Sequence, residues 1–206
     1  MGNWPSQFSN ETYRAARPVE RINYEDVIGH NNWPDNKIVS ADSFVGKMRA
    51  RTGIATLNLP TEAQWECACR AGNKKSSNGL TYRYGSNSGS VSNYNEGPDC
   101  GTALVGSYPV NAWGGYDFCG NVMEMCLDAH ASDSELVTLY EGQDPVNDPI
   151  GPPTNATARY HATRGGSWGN SAGFCSNYSR GYNNRAETGT RHRYIGMRVA
   201  VSPDWK

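Results

Sequence analysis

The sequence has little net charge and no long apolar run. Its 206 residues include 19 Lys and Arg and 20 Asp and Glu, which gives a formal net charge of −1. Without a basic excess there is no electrostatic field to draw the chain onto nucleic acid, so we expect no nucleic-acid partner. No apolar segment approaches the roughly 20 residues that a membrane helix needs, so we expect no membrane insertion. The N-terminal residues show no basic segment followed by an apolar one, so no signal peptide is visible in this chain.

Glycine, proline and large aromatic residues are abundant instead. The chain has 23 Gly, 11 Pro, 12 Tyr and 6 Trp. Gly and Pro mark turns, whereas Tyr and Trp fill cores and lie on binding surfaces. This composition predicts a loop-rich fold with little regular secondary structure. The length fits one domain over residues 1–206.

The cysteines do not follow the spacing of a zinc site. Six of them lie at positions 67, 69, 100, 119, 126 and 175, with no paired C-x-x-C spacing. Cys67 and Cys69 are too close for a relaxed disulfide within a helix. We therefore expect reduced and mostly buried thiols, since free cysteine is among the most buried residue types.

The clearest helix signal lies at residue 61. Thr61 is followed three residues later by Gln64, which is the capping-box pattern, and Trp65 lies on the apolar face. Gly72 is expected to end this helix. The sequence also predicts helices at residues 43–51 and 24–28, an irregular stretch at 128–158 and a closing strand at 195–201.

Residues 165–169 match the G-x-S-x-G pattern of hydrolase nucleophiles. That motif needs a helix after the serine, but Ser167 is followed by Trp, Gly, Asn and Ser, and the four histidines are isolated. Short motifs also match by chance, so we do not interpret Ser167 as a nucleophile.

Two carboxylates flank a Gly-Asn turn at residues 120–121. Asp117 precedes the turn and Glu124 follows it. Hard oxygen ligands around such a turn suit Ca²⁺. The alternative is that Asp117 caps the turn and Glu124 pairs with an arginine, and the spacing alone does not decide between them.

Several segments, taken together, resemble the formylglycine-generating-enzyme (sulfatase-modifying-factor) family. Residues 59–66 resemble its LPTEAEWE helix, residues 115–125 its GLYDMxGNVWEW segment, and residues 164–168 its RGGSW strand. Residues 195–199 resemble its terminal GFR strand, and residues 1–8 an internal MGxNPSxF segment. These segments follow the family's order and cover nearly the whole chain.

The resemblance implies an α+β, C-type-lectin-like fold with few helices and short antiparallel strands. It also implies structural Ca²⁺ at the Gly-Asn turn, held by the side chains of Asp117 and Glu124 and the carbonyls of Gly120 and Val122. A second family calcium site would fall on Asn93 and Tyr94, with Asp99 as a further candidate.

The sequence departs from the family in two places. Catalytic members carry two cysteines, five residues apart, that hold copper shortly after the RGGSW strand, and the matching positions here are Asn170 and Cys175. One thiolate does not replace a bis-thiolate soft-metal site, so we expect neither copper nor the oxidase activity. The family also has an N-terminal stretch before MGxNPS, so this chain is expected to lack the usual N-terminal strands.

Residues 169–194, here named the display segment, are rich in Asn, Tyr, Ser and Gly. Tyr and Phe supply rigid contact area, and Ser, Gly and Asn supply adaptable hydrogen bonds, as in antibody loops. The composition resembles that of the variable proteins of diversity-generating retroelements, which implies a bacterial or phage origin and a cell-surface or phage-particle location. The predicted ligand-binding residues are Asn170, Ser171, Phe174, Ser176, Tyr178, Tyr182, Asn184, His192 and Tyr194.

These observations favour a non-catalytic protein that binds another protein or a surface ligand. One alternative is an oxidoreductase or sulfatase-modifying factor of the formylglycine-generating-enzyme type, acting through Cys175 or through iron. The iron version needs clustered histidines, which the sequence does not show. A structural or accessory domain of a larger protein is the other alternative.

Overall fold

A computed structural model describes residues 5–29, 39–72, 101–143, 145–146, 149–152, 160–170, 172–183 and 191–201. Its elements are short, as the composition predicts. The helices are α1 (Tyr24–Val27), α2 (Phe44–Thr52), α3 (Glu62–Arg70) and α4 (Asp133–Leu139), with 3-10 turns at Arg14–Ala16 and Ala172–Phe174. The strands are β1 (Leu57–Asn58), β2 (Met123–Ala129), β3 (His161–Arg164), β4 (Arg180–Asn183), β5 (Ile195–Met197) and β6 (Ala200–Val201). The fold is therefore α+β with little regular structure.

The main sheet has four strands in the order β4-β3-β2-β5. β3 pairs antiparallel with β2 and with β4, whereas β5 pairs parallel with β2. A second sheet of two strands joins β1 and β6 in antiparallel pairing. The expectation of antiparallel strands therefore holds for three pairings and is wrong for the β2–β5 pair. That pair is parallel because the chain returns from the display segment in the same direction as β2.

The closing strand predicted at residues 195–201 is divided in two. β5 ends at Met197 and joins the main sheet, while β6 begins at Ala200 and joins the small one. Arg198, between them, donates to the carboxylate of Glu124, so its side chain turns into the protein. The local alternation of the sequence could not show this division, because each half pairs with a distant strand.

The predicted helices have the predicted ends. In α3, Thr61 accepts from the backbone N–H of Gln64 and the Gln64 side chain accepts from that of Thr61, so the capping box is confirmed. Ala71 is the C-cap of α3, and Gly72 follows it as the predicted C′ residue with a φ of +82°. α2 begins after its N-cap Ser43 and ends at Gly53. Among the described residues, no helix is long and apolar enough to cross a bilayer.

α4 lies within the stretch predicted to be irregular. Its N-cap is Ser132, whose hydroxyl accepts from the backbone N–H of Glu135, and the Glu135 carboxylate accepts from the N–H of Ser132. The S-x-x-E capping-box pattern was therefore present as a signal. α4 has no buried residue, so the apolar periodicity that identified α3 is absent here.

Two apolar clusters form the core of the described residues. One lies around Met125 and Leu127 of β2, with α1 and Ile195. The other packs Trp65 and Cys69 of α3 against Phe118, Cys119 and Ala162. The second cluster lies directly beneath the end of β3, from which the chain leads into the display segment. The described cysteines are free and all but Cys67 are buried, as predicted from the sequence.

Candidate functional site

Two glycines turn the chain out of β3 and lead it toward the display segment. Gly165 and Gly166 have φ angles of +89° and +65°, in the region that residues with a Cβ rarely adopt. A Cβ on Gly166 would lie 2.7 Å from both the sulfur of Cys175 and the carbonyl oxygen of Phe174. A Cβ on Gly165 would lie 2.5 Å from the carbonyl oxygen of Phe118. The segment thus rests directly on the glycine turn, and the predicted strand over residues 164–168 ends at Arg164.

Arg164 ties the display segment to helix α3. Its side chain is fully buried and lies in ion pairs with Glu62 and Glu66 of α3. The same guanidinium donates to the carbonyl oxygens of Asn177, at 2.8 Å, and Tyr178, at 3.4 Å. Its centre also lies 5.1 Å from the ring of Trp65. One buried cation therefore joins scaffold and segment.

Arg180 makes a second connection at the start of β4. Its Nε and Nη2 donate to the two carboxylate oxygens of Glu62 at 2.7 and 2.8 Å. Its Nη1 donates to the carbonyl of Ala131 and to Asp133 at the start of α4. The sequence pattern gives no sign that Arg164 and Arg180 act as anchors. Their shared partner Glu62 is more than 100 residues away along the chain from each of them.

Phe174 and Tyr178 are predicted ligand-binding residues whose side chains face solvent. Their side chains are 60% and 43% exposed. Cys175 and Asn177, which alternate with them, are buried. Ser176 is half-buried, and its hydroxyl accepts from the backbone N–H of Ser179. Residues 174–178 thus hold alternate side chains inward and present two aromatic rings outward.

The other predicted ligand-binding residues lie in different surroundings. Tyr194 is half-buried, with its ring centre 4.9 Å from that of Trp168, and its hydroxyl accepts from Arg193 at 2.7 Å. His192 is half-buried as well. Asn170 is half-buried, and its Oδ1 accepts from the backbone and hydroxyl of Ser167. Ser171, Asn184 and the side chain of Tyr182 lie outside the described residues, as do Asn93, Tyr94 and Asp99.

The positions that match the copper pair have unsuitable chemistry. Asn170 offers an amide, which is already engaged by Ser167. Cys175 is buried, and its thiol donates to the carbonyl oxygen of Ser167, with the sulfur and oxygen 3.6 Å apart. Burial raises the pKa of Cys175 to about 11, so the thiol is protonated at neutral pH. Soft metals bind thiolates, and these two positions do not supply a thiolate pair.

Glu124 is paired with an arginine, which is the alternative to a calcium site that the sequence left open. Its Oε2 accepts from Nε1 of Trp65 at 2.5 Å and from Nε of Arg198 at 2.6 Å, and its Oε1 accepts from Nη2 of Arg198 at 2.8 Å. In this arrangement Glu124 fits calcium poorly, because a divalent cation would have to displace the guanidinium. In the described parts of the chain, no group of three His, Cys, Asp or Glu side chains is arranged so that it could hold a metal ion.

Asp117 fits a cation better than Glu124 does. Its Oδ2 accepts from the backbone N–H of Gly106 at 2.8 Å, whereas its Oδ1 is buried and accepts no hydrogen bond. Burial raises the pKa of Asp117. Calcium at the Gly-Asn turn stays a prediction, with Asp117 and the carbonyls of Gly120 and Val122 as its other predicted ligands.

Removing calcium tests that prediction. If the ion is bound, we expect EDTA to lower the melting temperature, since an ion held only by the folded chain stabilises it. Each 1 kcal/mol should correspond to about 2–4 °C in a chain of this size. Asp117→Ala should abolish the response to EDTA, whereas Glu11→Ala, at an exposed surface position, should keep it. A melting temperature that EDTA leaves unchanged would contradict the calcium site.

Comparison with known proteins relates these features to other chains. A family model described as "Sulfatase-modifying factor enzyme 1-like domain" matches residues 2–203. The formylglycine-generating enzyme of Thermomonospora curvata is 28% identical over 95% of this chain and 59% of its own length. The formylglycine-generating enzyme of Mus musculus is 24% identical over 94% of this chain and 46% of its own. The chain thus spans about half the length of these relatives.

Two solved structures share the fold. Treponema denticola variable protein 1 superposes with a TM-score of 0.64 and 26% identity, over 98% of this chain and 79% of that one. PvdO from Pseudomonas aeruginosa superposes with a TM-score of 0.63 and 23% identity, over 89% of this chain and 61% of that one.

Proposed function

Since this chain belongs to the family of sulfatase-modifying factor enzyme 1-like domains, we propose that it is a non-catalytic member that binds a ligand through the display segment. One observation carries the proposal: Phe174 and Tyr178 point to solvent from a backbone that buried groups hold in place. The ligand is another protein or a surface molecule large enough to cover both rings.

Rigid support is what makes two exposed rings useful for binding. Arg164 holds the backbone at residues 177–178, and Gly166 leaves room for Phe174 and Cys175 to pack against the turn. A segment fixed in this way loses little conformational entropy when a ligand binds, so more of the contact energy appears as affinity. Aromatic side chains in such positions commonly contribute most of an interface's binding energy.

The same residues support a non-catalytic assignment. The oxidase alternative needs a thiolate pair, whereas the matching positions hold an amide bonded to Ser167 and a buried thiol. The alternative draws its support from relatives named formylglycine-generating enzyme, of which this chain spans 59% and 46%. Similarity to a protein named variable protein 1 supports the binding role.

Loss of the two exposed rings should remove binding without unfolding the protein. We expect Phe174→Ala with Tyr178→Ala to weaken binding more than tenfold, since hot-spot aromatics commonly contribute about 2 kcal/mol or more each. The melting temperature should change little, because exposed substitutions usually alter stability by about 0.5 kcal/mol or less. Binding would be measured on an array of purified glycans and extracellular protein domains.

Cys175→Ser is the matched variant, since it lies between the two rings but points inward. It should keep the array binding of the native chain. The competing activity is measured with copper and a cysteine-containing peptide, and we expect no oxygen consumption above background. Copper-dependent oxygen consumption that Cys175→Ser abolishes would overturn the proposal, as would array binding unaffected by loss of both rings.

The finer proposal is that the display segment is hypervariable, as in variable proteins of diversity-generating retroelements. We expect the DNA beside the gene to encode a reverse transcriptase and to contain a near-copy of the gene's 3′ end that differs at adenines. Sequencing of the flanking DNA measures this directly. Flanking DNA without either element would contradict hypervariability, while leaving a fixed ligand-binding role intact.

A further inference from the structure

Two cysteine thiols lie side by side beneath the display segment. The Sγ atoms of Cys69, on α3, and Cys119, just before the Gly-Asn turn, are 4.0 Å apart. Both side chains are buried, in the apolar cluster that contains Trp65 and Phe118. The two residues are 50 positions apart in sequence, so the fold alone brings them together.

The remaining described thiols are directed elsewhere. The Sγ of Cys126 lies 4.0 Å from the carbonyl oxygen of Glu124, and the Sγ of Cys175 lies 3.6 Å from the carbonyl oxygen of Ser167. Cys67 is exposed, whereas Cys69, two positions later on α3, is buried. Among the described cysteines, Cys69 and Cys119 are therefore the two whose thiols are hydrogen-bonded to each other.

We propose that Cys69 and Cys119 are a modification site, at which a low-molecular-weight disulfide such as oxidised glutathione converts the two thiols into an internal disulfide. One thiolate attacks the reagent, forms a mixed disulfide and releases one reduced glutathione. The second thiolate then attacks the mixed disulfide, forms the Cys69–Cys119 bond and releases another. Two electrons pass to the reagent, and the two protons of the cysteines end on the released thiols.

Little of the chain has to move for this bond to form. The sulfur atoms must approach from 4.0 Å to a bonded distance of about 2.05 Å. Cys69 lies in the last turn of α3, which ends at Arg70, and Cys119 lies in a loop before β2. Rotation of the side chains and a small shift of that loop provide the approach, while β2 and β3 stay paired.

Burial sets when the reaction takes place. In the folded chain both thiols are buried, so a disulfide reagent in solution does not reach them. The bond therefore forms during folding or local opening, when the thiols meet the reagent, and is afterwards protected from reductants. The closed bond constrains the chain between α3 and the Gly-Asn turn, and so stabilises the support beneath Gly165.

The proposal is independent of the display segment's ligand and can be tested on the complete chain. The reduced protein is incubated with oxidised glutathione a few degrees below its melting temperature, alkylated in acid, digested and mapped by mass spectrometry. We expect a peptide pair joined through Cys69 and Cys119. We also expect a melting temperature higher by roughly 5–10 °C than in dithiothreitol, because the cross-link restricts the unfolded chain.

Two variants distinguish this pair from its neighbours. Cys175→Ser should keep the linked peptide and the shift in melting temperature, whereas Cys119→Ser should lose both. The mapping needs only the native chain, so a variant that fails to fold does not decide the result. A dominant bond between Cys119 and Cys175, no bond after local opening, or a lower melting temperature on oxidation would each overturn the proposal.

Discussion

Replacing Arg164 by Met is expected to lower the free energy of unfolding by about 3 kcal/mol or more. Breaking a buried ion pair by removing one partner commonly costs about 3–5 kcal/mol, because the remaining charges and acceptors stay buried. Glu62 and Glu66 keep Arg180 and Arg70 as partners, which holds the expected loss near the lower end of that range. The carbonyl of Asn177 loses its short hydrogen bond from Arg164. Urea unfolding of the variant and the native chain measures the difference.

Two further variants show whether the loss of stability in Arg164→Met comes from the buried position of this side chain or from its charge alone. Arg164→Lys keeps the charge but cannot reach two carboxylates and two carbonyls with one planar group, so an intermediate loss is expected. Arg14→Met removes an arginine whose side chain is 40% exposed and 3.9 Å from Glu11, and should cost about 0.5 kcal/mol or less. Equal losses of unfolding free energy in Arg164→Met and Arg14→Met would show that Arg164 does not anchor the display segment.

Replacing Trp65 by Ala is expected to cost about 3–5 kcal/mol, the range typical of a fully buried aromatic residue. Trp65 is fully buried, packs edge-on against Phe118 at 5.5 Å and donates to Glu124. Its removal leaves a cavity under both Arg164 and the Glu124–Arg198 pair. The measurement is the midpoint and slope of urea unfolding.

Trp65→Phe separates packing from hydrogen bonding. It keeps an aromatic ring in the cluster but removes the N–H that Glu124 accepts, so a loss of about 1–3 kcal/mol is expected. A loss below about 1 kcal/mol for Trp65→Ala would mean that the second apolar cluster contributes little to stability. It would then be wrong to regard this cluster as the base of the display segment.

Local rules predicted the helix ends well. Thr61 and Gln64 satisfy each other's backbone groups within one turn, and Ser43 and Gly53 bound α2, so nearby residues determine these features. α4 has an equally local signal at Ser132, but its exposed surface gave no apolar periodicity to draw attention to it. Capping patterns therefore identify helices that hydrophobic patterns miss.

Contacts between residues far apart in the chain account for the site features that the sequence did not predict. Glu124 meets Arg198 from 74 positions away, so its spacing from Asp117 suggested a shared ion instead. Tyr194 is a predicted ligand-binding residue from its residue type, and its half-buried ring packs on Trp168. Phe174 and Tyr178 were predicted from the same reasoning and are exposed, because Cys175 and Asn177 between them turn inward.

Arg164 holds residues 177 and 178 by their carbonyl oxygens. Every amino acid carries that oxygen, so the clamp does not depend on which side chain stands at position 178. Substitutions there change the surface offered to a partner while the backbone keeps its course. A lineage could exchange Tyr178 for other residues many times, explore new partners, and still inherit the same fold.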